Sequence, residues 1–210
     1  MEKFFLKSAA LAAVIAGIML PSAAMAVPVT YTNPTDVTIP ENDSGGITTD
    51  IIITDSGILS GLTVEIAVDH TWVGDLIFTL TGPNGTVITL MDRPGNPNST
   101  FGDSSNLSAA SPITFDDSAS VMAEDAGASL GGNDIITGSF APDMLLSSFN
   151  GIDILGTWTL FVSDNAGGDE GAIDSWSLHI EASSVPEPGA IALLGLGLAG
   201  FGVASRRRKA

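Results

Sequence analysis

The 210-residue sequence contains no cysteine. Disulfide bonds, a thiol nucleophile and thiolate metal ligands are therefore excluded. An exported domain without disulfides must depend on its apolar core, on bound ions, or on both. The central part of the chain, residues 27–184 between the two terminal apolar segments described below, has roughly 158 residues. That length is enough for one core without covalent cross-links.

Positive charge is almost absent from the central part of the sequence. The chain has 24 acidic and seven basic residues. Glu2, Glu187 and all the bases except Arg93 lie outside residues 8–186, which leaves 22 acids, one base and a formal charge of −21 there. Such a surface repels the phosphates of nucleic acids and anionic lipids, so no nucleic-acid partner is expected. Crowded carboxylates instead favour a divalent cation as counter-charge, although acidity can also serve solubility alone.

Long apolar runs occur only at the two ends of the chain. At the start, Lys3 and Lys7 precede an apolar run over residues 9–20, and Ala24-Met25-Ala26 has the small residues of a cleavage site. This order predicts a signal peptide over residues 1–26, removed by signal peptidase after Ala26.

The run near the other end of the chain covers only 16 residues, 189–204. As a helix it would reach about 24 Å, short of a hydrocarbon core of about 30 Å. Three arginines and a lysine follow it, and positive charge stays on the cytoplasmic side of the inner membrane. We therefore expect transient anchoring in the inner membrane, with the acidic body outside.

Between the two ends no segment has helical periodicity, whereas several alternate between apolar and polar residues. Such alternation is typical of strands that bury one face. Residues 82–85, Gly-Pro-Asn-Gly, separate two of these runs and predict a hairpin, while the Gly-, Ser- and Asp-rich residues 92–150 predict long loops with a few short strands. The sequence therefore predicts an all-β fold, an antiparallel jelly-roll β-sandwich. The predicted inward-facing residues are Leu62, Val64, Ile66, Val68, Trp158, Leu160, Val162, Trp176, Leu178 and Ile180.

A candidate calcium site is formed by acidic residues in two predicted loops. Asp164, Asp169 and Asp174 are spaced along a glycine-rich stretch, where carbonyl oxygens can turn toward a cation. Asp69 and Asp75 could complete the site if the strands bring the two loops together. The alternative is an ordinary polar turn, in which Asp caps backbone groups and Gly adopts positive φ.

Catalytic motifs are weak in this sequence. Residues 127–131 match the pattern Gly-x-Ser-x-Gly, but neither a strand before them nor a helix after them is predicted. Only His70 and His179 could act as a base, and His179 falls on the polar face of its predicted strand. We therefore predict that the protein is not an enzyme.

The C-terminal segment resembles the PEP-CTERM sorting signal. Val185-Pro186-Glu187-Pro188, a short apolar run and a basic tail that contains Arg206, Arg207 and Arg208 occur in the order of that signal. The resemblance implies that an exosortase-type enzyme cuts near the Pro-Glu-Pro element. It also implies an origin in a Gram-negative bacterium that makes exopolysaccharide.

A second resemblance covers residues 45–182. The stretches 68–90 and 149–180 resemble the P domain of proprotein convertases, also called the P/Homo B domain. The matching features are His70, Gly74-Asp75-Leu76, residues 83–86, residues 156–158 and the loop and strand over 163–176. The resemblance implies a jelly-roll sandwich and a structural hydrogen-bonding role for His70. In that family the domain supports a neighbouring subtilisin-like protease, whereas here we expect no protease in the same chain.

These observations predict four segments: a signal peptide (1–26), a loose lead-in (27–44), a P-domain-like sandwich (45–182) and a sorting segment (183–210). The predicted function is that of a non-catalytic exported protein of the cell surface or extracellular matrix, stabilised by calcium, sorted by an exosortase-type system and associated with exopolysaccharide. The alternative is an accessory P domain that binds a subtilisin-like protease in trans.

Overall fold

A computed structural model describes residues 27–184, apart from residues 35, 97, 129, 131 and 133. The predicted signal peptide, most of the predicted sorting segment and Ser129 of the Gly-x-Ser-x-Gly match therefore lie outside the described residues. No helix among the residues that the structure describes is long and apolar enough to cross a membrane. The described chain is all-β, as predicted, with three short 3₁₀ helices (Val73–Asp75, Ala123–Asp125 and Leu146–Phe149).

Ten strands form two sheets that pack face to face. The strands are β1 Val27–Asn33, β2 Val37–Ile39, β3 Asp43–Ile53, β4 Gly57–His70, β5 Leu76–Thr81, β6 Val87–Asp92, β7 Ile113–Phe115, β8 Gly138–Phe140, β9 Gly156–Asp164 and β10 Gly171–Ser184. Sheet A has the order β1-β10-β4-β7-β8, with β2 also paired to β10, and sheet B has the order β3-β9-β5-β6. Every described strand pair is antiparallel except β7 and β8, which are parallel.

The loose lead-in expected over residues 27–44 is part of the sandwich. Strand β1 pairs with β10 along its whole length, and β2 pairs with the start of β10. The Thr- and Pro-rich sequence hides these strands because both pair through backbone hydrogen bonds at or near the margin of sheet A. Side chains also fix β1, since the Asn33 amide donates to the Asp50 carbonyl oxygen at 2.8 Å.

The core between the sheets is built from the predicted inward faces. All ten residues named above are buried, from Leu62 at 8% exposed to Val64 and Trp158 at 0%. Trp158 packs against Phe149 with ring centroids 5.1 Å apart, and its indole N–H donates to the Ile154 carbonyl oxygen at 3.1 Å. One aromatic cluster therefore joins sheet B to the 3₁₀ helix Leu146–Phe149.

The sandwich has two distinct ends. At one end, which we call the terminal end, strands β1 and β9 begin and strands β3 and β10 finish; Val27 pairs with Ala182, Ser184 with Gly57, and Ile53 with Gly156. At the opposite end β4 and β9 finish, and His70 pairs with Gly171 while Asp164 pairs with Leu76. We call this the Asp75 end, because the 3₁₀ helix Val73–Asp75 lies there.

Candidate metal site

The loops of the Asp75 end border a small open pocket of about 190 Å³. It is lined by Trp72, Asp75, Phe101, Ala166, Gly167 and Asp169. Close backbone contact places Asp75 in its wall. The Gly74 N–H donates to the Asp103 carbonyl oxygen at 2.9 Å, and a Cβ at Gly74 would lie 2.7 Å from the Cα of Gly102. Glycine is thus required immediately before Asp75.

Asp75 has a buried carboxylate without a hydrogen-bond donor among the described residues. The residue is 3% exposed, and its nearest positive partner is the Arg93 guanidinium, 3.9 Å from Oδ1. Burial, followed by repulsion from Asp164 and Asp169, raises the pKa of Asp75 to about 6, while His70 and Arg93 oppose this rise. The negative charge of the Asp75 carboxylate is therefore only partly balanced by the positive charge of Arg93.

His70 and Asp164 form a buried pair beside this carboxylate. Nε2 of His70 lies 3.4 Å from Oδ2 of Asp164, and both side chains are almost fully buried. The Trp72 backbone N–H donates to Nδ1 of His70 at 3.1 Å, and the Ala166 N–H donates to Oδ1 of Asp164 at 3.0 Å. The pair therefore connects the end of β4 to the loop after β9, in the structural role that the resemblance implied for His70.

Asp169 forms the outer wall of the pocket. Its Oδ1 accepts a hydrogen bond from the Thr71 hydroxyl at 2.6 Å, which joins the loop before β10 to the loop after β4. The indole N–H of Trp72 donates to the Phe101 carbonyl oxygen at 2.6 Å. Phe101 itself is 67% exposed, so an acidic pocket lies beside an exposed aromatic ring.

Sequence and fold comparisons agree with this architecture. Residues 59–180, more than half of the chain, match the proprotein convertase P-domain. The chain belongs to the proprotein convertase P-domain family. Residues 184–209 match the PEP-CTERM protein-sorting motif. Both resemblances predicted from the sequence are therefore confirmed, and the motif marks an exported protein that is held at the membrane before release. No curated protein is significantly similar in sequence to this chain.

Among solved structures, the P-domain is similar to a chain in the crystal structure of the Aeromonas sobria serine protease (ASP) in complex with the chaperone ORF2. That match has 18% identity and a TM-score of 0.51, and it covers 79% of this chain and 28% of that chain. A chain in the structure of the A. sobria serine protease matches at 18% identity and a TM-score of 0.49, with 78% of this chain and 28% of that chain covered. The P-domain chain thus spans little more than a quarter of the length of either.

The structure brings together three of the five residues predicted as metal ligands, Asp75, Asp164 and Asp169, since both Asp164 and Asp169 act on the Asp75 carboxylate. Asp69 and Asp174 do not line the pocket. Asp69 instead accepts a hydrogen bond from the Ala109 N–H at 2.9 Å, and Asp174 is exposed at an irregularity of β10.

Within residues 27–184 as described, no three Asp, Glu or His side chains converge closely enough to hold a metal ion. Calcium also binds carbonyl oxygens and water, so a site need not contain three carboxylates. The donors around the pocket are oxygen atoms, which suits a hard cation. The Asp75 carboxylate, which Arg93 compensates only in part, is the observation that fits such an ion.

Sequence reasoning missed two features of this P-domain site. The His70–Asp164 pair joins residues 94 positions apart, which no local pattern can indicate. The role of Arg93 did have a signal, because it is the one base in residues 8–186. Its guanidinium Nε donates to the Gly74 carbonyl oxygen at 3.1 Å, which brings its charge to Asp75.

A second acidic cluster lies beside β6, away from the pocket. Glu124 accepts a hydrogen bond from the Asp92 backbone N–H at 2.9 Å, and Asp143 donates its backbone N–H to the Leu90 carbonyl oxygen. Burial, together with hydrogen bonding to Asp143 and repulsion, raises the pKa of Glu124 to about 7, and burial also raises the pKa of Asp143. The two carboxyl groups interact directly, so the protonation of one affects the protonation of the other.

Proposed function

We propose that this P-domain is a non-catalytic, calcium-stabilised module of the cell surface or extracellular matrix of a Gram-negative bacterium, delivered by an exosortase-type system and associated with exopolysaccharide. The observation that carries the proposal is the position of the sorting motif. It begins at residue 184, where the last strand of the sandwich finishes. The sandwich is thus the part of the chain that the sorting system delivers. Signal peptidase would act at the other end of the chain.

The histidines support a non-catalytic role. Both ring nitrogens of His70 are engaged, and the residue is 2% exposed, so it is poorly placed to exchange protons with a substrate. His179 shares a hydrogen bond of 3.0 Å with the Thr30 hydroxyl on the outer face of sheet A. In a general-base mechanism, the base must instead reach both a nucleophile and the substrate.

The calcium part of the proposal depends on the electrostatics of Asp75. Burying a carboxylate beside two other carboxylates is unfavourable unless a positive charge compensates for it. Arg93 lies 3.9 Å away and is shared with the Gly74 carbonyl oxygen. A calcium ion held by Asp75, with Asp164, Asp169 or carbonyl oxygens of the glycine-rich loop, would supply the missing charge.

Calcium is expected to raise the melting temperature of the purified domain by about 3–6 °C at tenfold the dissociation constant. Preferential binding at that concentration contributes about 1.4 kcal/mol, and a domain of this size gains about 2–4 °C per kcal/mol. The measurement is a thermal melt in chelator and in millimolar calcium. Asp75→Asn should remove the shift, and Asp169→Asn, which removes a second carboxylate from the pocket wall, should reduce it.

Asp174→Asn is the matched control for this experiment, because Asp174 carries the same charge but lies outside the pocket, and its variant should keep the full shift. If wild-type protein melts at the same temperature in calcium and in chelator, the proposed site does not bind calcium. Loss of the shift in the Asp174 variant would place the ion elsewhere.

The alternative is an accessory domain that supports a subtilisin-like protease in trans. It is favoured by the similarity in fold to a chain in the structure of a serine protease with its chaperone. Affinity capture of the released protein from the native envelope separates the two proposals. Polysaccharide in the captured material would support the first, and a subtilisin-like protease would support the second.

A further inference from the structure

The two predicted processing sites adjoin the same end of sheet A. Strand β1 begins at Val27, directly after the predicted signal-peptidase site at Ala26, and β10 finishes at Ser184, directly before the Val-Pro-Glu-Pro element. Val27 pairs with Ala182, and Ser184 pairs with Gly57. Both ends of the folded sandwich therefore leave it at the terminal end.

The chain between the sandwich and the C-terminal apolar run is short. Residues 185–188 separate Ser184 from Gly189, where that run begins. These five Cα–Cα steps span at most about 18 Å, whatever conformation the chain adopts. Because the sorting motif holds the protein at the membrane before release, the terminal end must lie close to the bilayer. The headgroup layer itself is about 5–8 Å thick on each side.

Exposed apolar side chains project from this end of the sandwich. Ile58 lies on the outer face of sheet A and is 39% exposed. Ile52 and Leu155 are 72% and 48% exposed at the end of β3 and immediately before β9, so they lie near each other on sheet B. We call these three residues the terminal rim. An isolated exposed apolar residue needs no explanation, but three beside a membrane tether indicate a common environment.

Acidic groups at the terminal end determine which headgroup charge is compatible with contact between the rim and a lipid surface. The Asp153 carboxylate accepts hydrogen bonds from Ser56 and from the N–H groups of Gly57 and Leu155. Asp55 and Glu181 lie near it without a basic neighbour among the described residues, where the one base, Arg93, is at the opposite end. These charges oppose contact with anionic headgroups. A zwitterionic surface avoids that repulsion and still offers an apolar interface to the rim.

We propose that, in the membrane-held precursor, the terminal rim contacts the zwitterionic surface of a phospholipid bilayer. This contact orients the sandwich with its strands pointing away from the membrane. Strand β9 runs from the rim to the pocket over eight steps, about 26 Å. The Asp75 pocket consequently faces away from the membrane and is free to meet partners before release. The proposal depends on the sorting motif and not on calcium.

Single-cysteine fluorescence tests this orientation, since the natural chain has no cysteine. Ile58→Cys and Leu155→Cys place a nitrobenzoxadiazole label on the rim. Ala110→Cys is the matched control at the Asp75 end, next to Ala109, which bonds Asp69. The full-length protein is reconstituted in phosphatidylcholine vesicles that carry a headgroup spin-labelled lipid. Labels at 58 and 155 should be quenched several-fold more than the label at 110. Equal quenching at all three positions, or none, would overturn the proposal.

A second variant distinguishes apolar contact between the rim and the bilayer from proximity that the tether alone imposes. Ile52→Asp together with Leu155→Asp removes the apolar rim on sheet B and leaves the tether unchanged. We expect this pair to reduce the quenching of a label at 58, with thermal melts confirming that the sandwich is folded. Unchanged quenching would mean that the tether alone sets the distance. If the unlabelled Ile58→Cys protein forms disulfide-linked dimers and the label at 58 is not quenched, the rim contacts a second copy of the chain. Either result rejects the membrane contact.

Discussion

Replacement of Trp158 by alanine is expected to lower the free energy of unfolding by about 3–5 kcal/mol, the usual cost of deleting a large buried aromatic side chain. Trp158 is fully buried on β9, an inner strand of sheet B, and packs edge-on against Phe149. Its loss leaves a cavity between the sheet and the 3₁₀ helix Leu146–Phe149, and leaves the Ile154 carbonyl oxygen without its indole donor. At about 2–4 °C per kcal/mol, the melting temperature should fall by roughly 6–20 °C.

Trp158→Phe is the matched control for the cavity. It keeps an aromatic ring against Phe149 and leaves a smaller cavity than alanine, and it also removes the N–H donor to Ile154, a hydrogen bond worth about 1 kcal/mol, so its loss of stability should be intermediate. Thermal melts of the two variants should rank wild type, Phe and Ala in decreasing order. A Trp158→Ala protein that melts like wild type would contradict the packing of the two sheets described above.

Acidification from pH 8 to pH 5 is expected to raise the melting temperature by roughly 5–10 °C in the presence of chelator. The folded pKa values of Asp75, about 6, and Glu124, about 7, lie above the ordinary values of 3.8 and 4.5, and the pKa of Asp143 is also raised. Between the ordinary and the raised pKa the folded state binds more protons than the unfolded state. The free energy of unfolding therefore falls as the pH rises through the raised pKa values of about 6 and about 7, and it increases again on acidification.

Glu124→Gln should flatten much of this pH dependence, because it removes a carboxyl group whose pKa is raised to about 7 and retains a hydrogen-bonding side chain. Glu181→Gln is the control, since it makes the same change in net charge at an exposed position of β10. The measurement is the melting temperature of each variant at intervals between pH 5 and pH 8. A wild-type melting temperature that is constant or rises with pH would refute the account, as would an unchanged slope in the Glu124 variant.

The central strands could be predicted from the sequence because burial on one face leaves a period of two. Strands β4, β9 and β10 each carry that alternation, and the Gly-Pro-Asn-Gly turn between β5 and β6 is local: the Gly85 N–H donates to the Gly82 carbonyl oxygen. Strands β1 and β2 could not be predicted in this way. They pair at or near the margin of sheet A. Their apolar and polar residues do alternate, but both strands are short, and Pro28, Pro34 and Pro40 within or beside them are typical of loops.

The candidate site could be predicted only in part, for a related reason. The glycine-rich spacing after β9 suggested Asp164 and Asp169 as candidate ligands, and both lie near enough to Asp75 to raise its pKa, because the ends of neighbouring strands meet. Sequence spacing cannot show which way a side chain points. Asp69 and Asp174 were therefore among the predicted metal ligands. In the structure Asp69 accepts a hydrogen bond from the Ala109 N–H, and Asp174 lies at an irregularity of β10. The parallel pairing of three-residue strands β7 and β8 had no sequence signal.

The central claim is that this P-domain is exported, held at the membrane and then released by a cut within the sorting motif. Intact-mass analysis of the protein from the cell surface or medium tests it most directly. The claim predicts a chain that begins near Val27 and lacks the residues after about Pro188. A folded cytoplasmic protein that retains both Met1 and Ala210, or a surface protein that retains Arg208, would contradict it.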